Sequence, residues 1–242
     1  MTDLDPFYLH PELRGKIKPA AESFFRDLNL KDIDAHAAKA GLPDNWRTPS
    51  SEREAGRREW FEGRWAHDLW IFGYGSLMWD PGVEFAEVRQ AHCHGFQRSF
   101  CLWDEGGRGS VEQPGLMLAL DEGGESEGLA FRIEAEKLDH ETFVLFRREM
   151  IAPAYRPTWL TLNAAGEQIT ALGFVANHSH ESIRPGITLP DQANMIARAE
   201  GVLGTNYDYL SDTHQHLEFL GIEDKYILDV FEAVSAMRDA AV

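Results

Sequence analysis

The sequence predicts an α+β fold, with a mostly antiparallel sheet or partial barrel in the middle of the chain and helices on either side. Three observations carry that prediction. Strand-like segments come in one block, from about residue 68 to residue 176, interrupted by a single strong helix. Charged, helix-favouring sequence precedes the block, and amphipathic helical sequence follows it. Strand and helix do not alternate regularly, as a doubly wound parallel sheet would require.

Composition sets the outer bounds. The chain has 242 residues, 43% of them hydrophobic, enough for one large domain or one domain with an extension. A net charge of -17 disfavours nucleic acid and anionic membranes as partners, because phosphate binding needs a positive surface. A small anionic substrate remains compatible, since a few local arginines override the global field. The two cysteines, Cys93 and Cys101, are too few for a secreted disulfide framework. They are expected to be buried, inert thiols in a cytoplasmic protein. The N-terminal "MTDLDPFYLH" has neither a basic nor an apolar targeting region, and no run approaches 18 apolar residues, so no membrane span is expected.

Residues 1–66 read as an N-terminal helical extension and 67–242 as the main domain. In the extension, Ser50 or Ser51 is placed to cap a helix carrying Glu52 and Glu54 in its first turn. "LWIFGYG" reads as a buried strand. "VEFAEVRQAHCHGFQRSFCLW" reads as two strands or one bent one, with Phe96, Arg98, Phe100 and Leu102 sharing one parity. "LMLALD" and "GLAFRIE" read as strands joined by a turn at "EGGESE". Residues 134–150 form the clearest helix, stopped by Pro153. A hairpin follows, with its turn near Ala165-Gly166. Asp191 is placed to cap the next helix. Two amphipathic helices complete the chain, one with Leu210, His214, Leu217 and Leu220 on a face, the other with Ile227, Phe231, Val234 and Met237.

The first candidate for chemistry is Gly73-Tyr74-Gly75-Ser76, at the end of the buried strand. Glycine lets backbone approach a ligand closely, and consecutive N–H groups at a strand end make an anion-binding nest, suited to a carboxylate or a developing oxyanion. An ordinary tight turn is the plainer reading of the same residues. A dinucleotide fingerprint would need glycine at Met78 and a helix next. A serine nucleophile at Ser76 would need a G-x-S-x-G elbow, which is absent. The second candidate is Glu149. Leu138, Thr142, Leu145 and Glu149 recur at helical spacing, which turns Glu149 toward the interior at a helix C-terminus. Burial and the macrodipole both raise a carboxyl pKa there, as a general base needs. A structural ion pair with Arg147 or Arg148 is the alternative. The pairs His92/His94, His178/His180 and His214/His216 lack metal-motif spacing and are expected on strand edges or helix surfaces.

Five ordered segments then carry a resemblance: "IFGYGSLMWDPGVEF", "GFQRSFCLWDEGGRGSVEQPGLMLALDEGG", "LFRREMIAPAYRPTWL", "FVANHSH" and "NYDYLSDTHQHLEFLGIED". Together, from about residue 68 to 230, they resemble the ChaC-like γ-glutamylcyclotransferases, most of all the bacterial, glutathione-specific branch. The resemblance implies a γ-glutamylcyclotransferase-like fold, a small mixed or antiparallel β-barrel with flanking helices, and makes residues 67–242 its catalytic domain. It implies cleavage of glutathione to 5-oxoproline and cysteinylglycine without metal or cofactor. It assigns the substrate loop to Gly73, Tyr74, Gly75, Ser76, Leu77 and Met78, the catalytic glutamate to Glu149, and pocket-lining roles to Tyr155 and Tyr209. "NHSHESIRPG" has no place on that pattern. Another γ-glutamyl amine or peptide as substrate, or a γ-glutamyl-binding module without catalysis, would fit the same residues.

Overall fold

The computed structural model describes residues 5–39 and 41–240. Two α-helices, α1 (Leu30–Lys39) and α2 (Ser50–Trp60), and three short 3-10 turns precede the sheet. The strands β1 (Leu69–Gly73), β2 (Glu87–Asp104) and β3 (Gly115–Ile133) come next, then helix α3 (Leu138–Glu149) and the hairpin β4 (Tyr155–Ala164) and β5 (Glu167–Ala176). Helix α4 (Leu189–Arg198), a two-residue ribbon β6 (Glu200–Gly201) and β7 (Gly204–Thr205), and helices α5 (Asn206–Leu220) and α6 (Lys225–Asp239) follow. The sheet closes into a five-stranded barrel in the order β1-β3-β2-β4-β5. Strand β1 runs antiparallel to β3, with Gly73 opposite Leu129, and parallel to β5, with Ile71 opposite Leu172. The sheet is therefore mixed and closed, where the sequence left a partial barrel open.

The chain divides into two compact units. The first holds residues up to Leu28, Arg47–Gln97 and Glu122–Val175; the second holds Asn29–Trp46, Arg98–Asp121 and Ala176 onward.

In the first unit, β1 is a nearly continuous apolar run because both its faces are covered: Ile71 and Phe72 are 1% and 0% exposed. Helix α3 buries Leu138, Thr142 and Leu145 along the stripe read from the sequence, and exposes Glu136, Lys137 and Asp139 before and at its start. The segment before α1 is tied to α3 by charge. Arg26 grips the buried Glu141 with both arms, Nη1 to Oε2 at 2.7 Å and Nη2 to Oε1 at 2.9 Å. Such a fork matches carboxylate geometry and is worth more than a point charge. The Glu141 side chain is 3% exposed, and burial alone would raise its pKa. Hydrogen bonds from Arg26 and the Glu84 N–H outweigh that and hold it below the ordinary carboxylate value. Arg57 on α2 is also buried, and reaches Glu54, Asp139 and the Thr142 hydroxyl.

In the second unit, Arg98 and Phe100 turn inward. Arg98 pairs with Asp224 at 2.8 Å, and Asp224 also caps α6 through the Ile227 N–H. The Phe100 N–H donates to the Tyr226 hydroxyl at 2.8 Å. The stretch Asn177–Gly186 lies along the end of β2: Leu102 bridges Ile183, and Arg184 covers the Trp103 ring at 3.6 Å. Leu210, Leu217 and Leu220 are buried on α5, as are Ile227, Val230 and Val234 on α6, whereas Met237 is 39% exposed.

Three local expectations are corrected. "EGGESE" is not a turn between strands. β3 runs through it as one strand, kinked where Gly123 and Gly124 take φ of 107° and 58°. The positive φ at both positions is what favours glycine there; a side chain at Gly124 would also displace the movable end of Gln97, whose Oε1 lies at 2.6 Å. Helix α2 begins at Ser50 behind Pro49 with no side-chain cap, so neither serine caps it. Thr188, not Asp191, caps α4: its hydroxyl accepts from the Asp191 N–H and donates to the Asp191 carboxylate at 2.6 Å. The hairpin turn is as read, with Ala165 and Gly166 both at positive φ. Both cysteines are buried and unbridged, and burial pushes each thiol up to about 11.

Glu141 fixes a sign for acid unfolding. Its folded pKa lies below its unfolded value, so its stabilisation is complete above roughly 4.3 and is lost as pH falls through the folded value. Denaturant titrations between pH 7 and 3 are expected to show a shallower acid loss for Glu141→Gln than for the parent chain, from a lower starting stability.

Candidate active site

The end of β1, the following turn and the end of α3 meet in the first unit. Gly73 closes β1, and Ser76–Met78 form a single 3-10 turn held by the Met78 N–H on the Gly75 carbonyl at 2.8 Å. The Asp80 N–H closes back on the Ser76 carbonyl at 2.9 Å. The turn folds tightly over the strand end: a Cβ at Gly73 would lie 3.1 Å from the Leu77 carbonyl carbon and 3.2 Å from the Met78 nitrogen. Behind it, a Cβ at Gly128 of β3 would lie 2.3 Å from the Gly73 carbonyl oxygen. The N–H groups of Gly75, Ser76 and Leu77 donate no hydrogen bond among the described residues. Three consecutive donors thus lie at the open N-terminal end of the turn.

Glu149 is the last residue of α3, with its side chain 13% exposed. Burial raises its carboxyl pKa, and the adjacent Arg148 opposes the rise by charge and by a hydrogen bond, the raising effect being larger. Arg148 joins the two halves of the site. Its Nε lies 2.7 Å from Glu149 Oε1, its Nη2 donates to Ser76 Oγ at 2.8 Å, and its Nη1 donates to the Asp80 carbonyl. Its guanidinium sits 3.8 Å from the centre of the Phe25 ring. One cation therefore fixes the carboxylate, the hydroxyl of the turn and the chain leaving the turn.

The segment before α1 completes this wall. The Lys18 N–H donates to the Trp79 carbonyl at 2.7 Å, and Lys18 Nζ pairs with Asp80 Oδ2 at 3.1 Å. The other oxygen, Oδ1, is buried without a partner. Gly82, at φ 69°, leaves a Cβ only 3.2 Å from Ser23 Oγ and 3.4 Å from Phe25 Cβ.

Tyr155 begins β4, six residues past Glu149, and is half-buried. Tyr209 belongs to the second unit, on α5. It is 8% exposed, edge-on to Phe100 at 6.2 Å, with the Arg108 guanidinium 5.9 Å from its ring. Arg148, Lys18, Asp80, Phe25 and Gly128 were not singled out from the sequence as parts of a site. Arg148 alone had a local signal, its place beside Glu149.

A closed mixed barrel with flanking helices, carrying a bare turn at a strand end and a largely buried carboxyl at a helix C-terminus, is the architecture of the γ-glutamylcyclotransferase fold. The family model for ChaC-like protein matches residues 69–237, and the chain belongs to that family. A glutathione-specific γ-glutamylcyclotransferase of Escherichia coli (strain K12) is 41% identical over 170 residues, 70% of this chain and 74% of the relative. Glutathione-specific γ-glutamylcyclotransferase 1 of Homo sapiens is 29% identical over 180 residues, 70% of this chain and 79% of the relative. In structure, the chain is similar to a yeast γ-glutamylcyclotransferase specific to glutathione, with TM-score 0.64 and 19% identity, over 71% of this chain and 99% of that one.

Arg148 lowers the Glu149 pKa that burial raises. In Arg148→Gln, the Glu149 carboxyl, followed by carbon-13 NMR, is expected to titrate at higher pH than in the parent chain. Unchanged titration would show that the ion pair does not set its acidity.

Proposed function

We propose that the chain is a glutathione-specific γ-glutamylcyclotransferase, releasing 5-oxoproline and cysteinylglycine, with Glu149 as its general acid/base. The observation that carries the reading is the pairing of one buried, pKa-raised carboxyl with a turn of undonated N–H groups, joined by Arg148. The names of the Escherichia coli and human relatives supply the substrate.

The chemistry follows from the substrate's own structure. The α-amine of the γ-glutamyl group attacks the γ-carbonyl carbon of the same residue. A C–N bond forms, closing a five-membered lactam, and the bond to the cysteinyl nitrogen breaks. The nucleophile is tethered, so the protein gains most by holding the chain curled. Three obstacles remain: the amine is largely protonated near neutral pH, the amide oxygen acquires negative charge, and the leaving nitrogen needs a proton. Glu149 accepts the ammonium proton and returns it to the leaving nitrogen; a raised pKa serves both steps because the carboxyl is then neither too weak a base nor too weak an acid. The N–H groups of Gly75, Ser76 and Leu77 hold the α-carboxylate or the oxyanion. Gly73 and Gly128 keep that backbone uncovered, while Tyr74, Met78 and Tyr155 shape the substrate side of the turn. Among the described residues no helix is long and apolar enough to cross a membrane. The unbridged, buried thiols support a cytoplasmic site of action.

The test is 5-oxoproline release from glutathione by the purified chain and by Glu149→Gln. The isosteric amide is expected to lower kcat by about 10²–10⁴, the range of a general acid–base contribution, with little change in KM. Full activity in Glu149→Gln would remove Glu149 from the mechanism. Turnover of another γ-glutamyl compound in place of glutathione would keep the site and change the substrate. In the parent enzyme, kcat/KM is expected to fall on the acid side at a pH above the ordinary carboxyl value of about 4.3, because Glu149 must lose its proton to act and its pKa is raised.

Gly128→Ala tests the support behind the turn. Its methyl group would meet backbone, which cannot swing aside, so the variant is expected to lose both activity and thermal stability. Parent-like turnover would show that the strand end tolerates displacement.

A further inference from the structure

We propose that His92, His94 and Glu125 form a surface site for a borderline-soft divalent transition metal ion, zinc being the natural probe. The proposal is independent of the reaction assigned above and uses none of its residues.

The strand geometry places the two imidazoles. His92 and His94 flank Cys93, whose side chain is buried at 1% exposure and whose partner across β2 and β4 is Leu162. Successive side chains on a strand alternate faces, so burying Cys93 turns both histidines to the outer face together. Glu125 comes from β3, the neighbour of β2 in the barrel. It follows immediately on the Gly123-Gly124 kink, the feature that a plain turn between strands would not have supplied.

The distances are those of a ligand set. Glu125 Oε2 lies 3.5 Å from His92 Nε2 and 3.3 Å from His94 Nδ1. The two rings pack against each other, their centres 4.2 Å apart and their other nitrogens, His92 Nδ1 and His94 Nε2, at 3.1 Å. One ligand atom from each of the three residues falls within 4.8 Å of the others. A tetrahedral zinc ion with bonds of about 2.0–2.1 Å needs its ligand atoms roughly 3.3–3.4 Å apart. Two edges of that triangle are already near this length, and the third closes by rotation of an exposed imidazole. His94 and Glu125 are each 63% exposed and His92 27%, so His94 and Glu125 can adjust and an ion reaches the site from solvent.

The donor chemistry selects the ion. Two imidazoles and one carboxylate suit zinc, copper(II) and nickel(II), and disfavour calcium and magnesium, which prefer all-oxygen shells. Three protein ligands leave a fourth position to water. The ion would cross-link β2 to β3, which predicts a gain in stability on binding.

The experiment uses the full chain without an added polyhistidine tag, titrated with zinc chloride by calorimetry at pH 7.5 and followed by thermal unfolding with and without zinc. The parent is expected to bind an ion whose site is lost in the double variant His92→Ala/His94→Ala. Glu125→Gln, which keeps the size of the side chain, is expected to weaken binding by about tenfold or more. Zinc is expected to raise the midpoint of unfolding of the parent and not of the double variant, and copper(II) to bind more tightly than zinc. Equal zinc binding by the parent and the double variant would overturn the proposal, since the ion would then occupy other histidines. No binding by the parent would overturn it outright. His94 and Glu125 are exposed and His92 is partly so, and Glu125→Gln alone decides the point if the double variant fails to fold.

Discussion

The site depends on how one buried cation is shared. Arg148 sits 6% exposed, and an unpaired guanidinium there would be costly. It is compensated on four sides, by the Glu149 carboxylate, the Ser76 hydroxyl, the Asp80 carbonyl and the face of Phe25. Those partners come from three stretches, the end of α3, the turn from Ser76 to Asp80 and the segment before α1, so satisfying the arginine holds the three in register. The carboxylate gains a fixed direction in the process. It also gains a restraint on its acidity: burial alone would raise the pKa further, and the neighbouring cation holds part of that rise back.

The turn at the end of β1 obeys a complementary constraint. The leading N–H groups of a helical turn have no partner within it, and among the described residues those of Gly75, Ser76 and Leu77 donate to none. Such a turn has to lie close against its own strand, or the donors would scatter. Gly73 and Gly128 permit that approach because no Cβ intervenes. Preorganised donors of this kind do not have to reorient as charge develops, which is where their value over solvent lies.

Much of this was legible in the sequence because it is local. The apolar run into Gly73, the stripe from Leu138 to Glu149 and the hairpin about Ala165-Gly166 all express a period or a turn within a few residues. The losses have physical causes as well. A glycine pair at 123–124 signals positive φ, and positive φ serves a strand kink as well as a turn. Thr188 and Asp191 both have cap-type side chains three residues apart, so either looks like the cap until the geometry shows Thr188 taking the role and Asp191 accepting from its hydroxyl. Gly128 is demanded by the backbone of Gly73 and the ring of Phe72 on another strand. Lys18 and Phe25 lie among 3-10 turns, whose short repeats leave no periodic trace, and their partners are distant in sequence. The outer-face pair His92/His94 was visible; Glu125, which meets it across a strand boundary, was not.

The contacts of Lys18, Ser23 and Phe25 carry one further consequence. These residues stand well before residue 69, where the match to the family begins, yet they touch the chain and the guanidinium that flank Glu149. A change at Phe25 would alter how Arg148 is solvated, and through it the proton affinity of the carboxyl. A stretch outside the family match is thereby coupled, through one guanidinium, to the carboxyl at the end of α3.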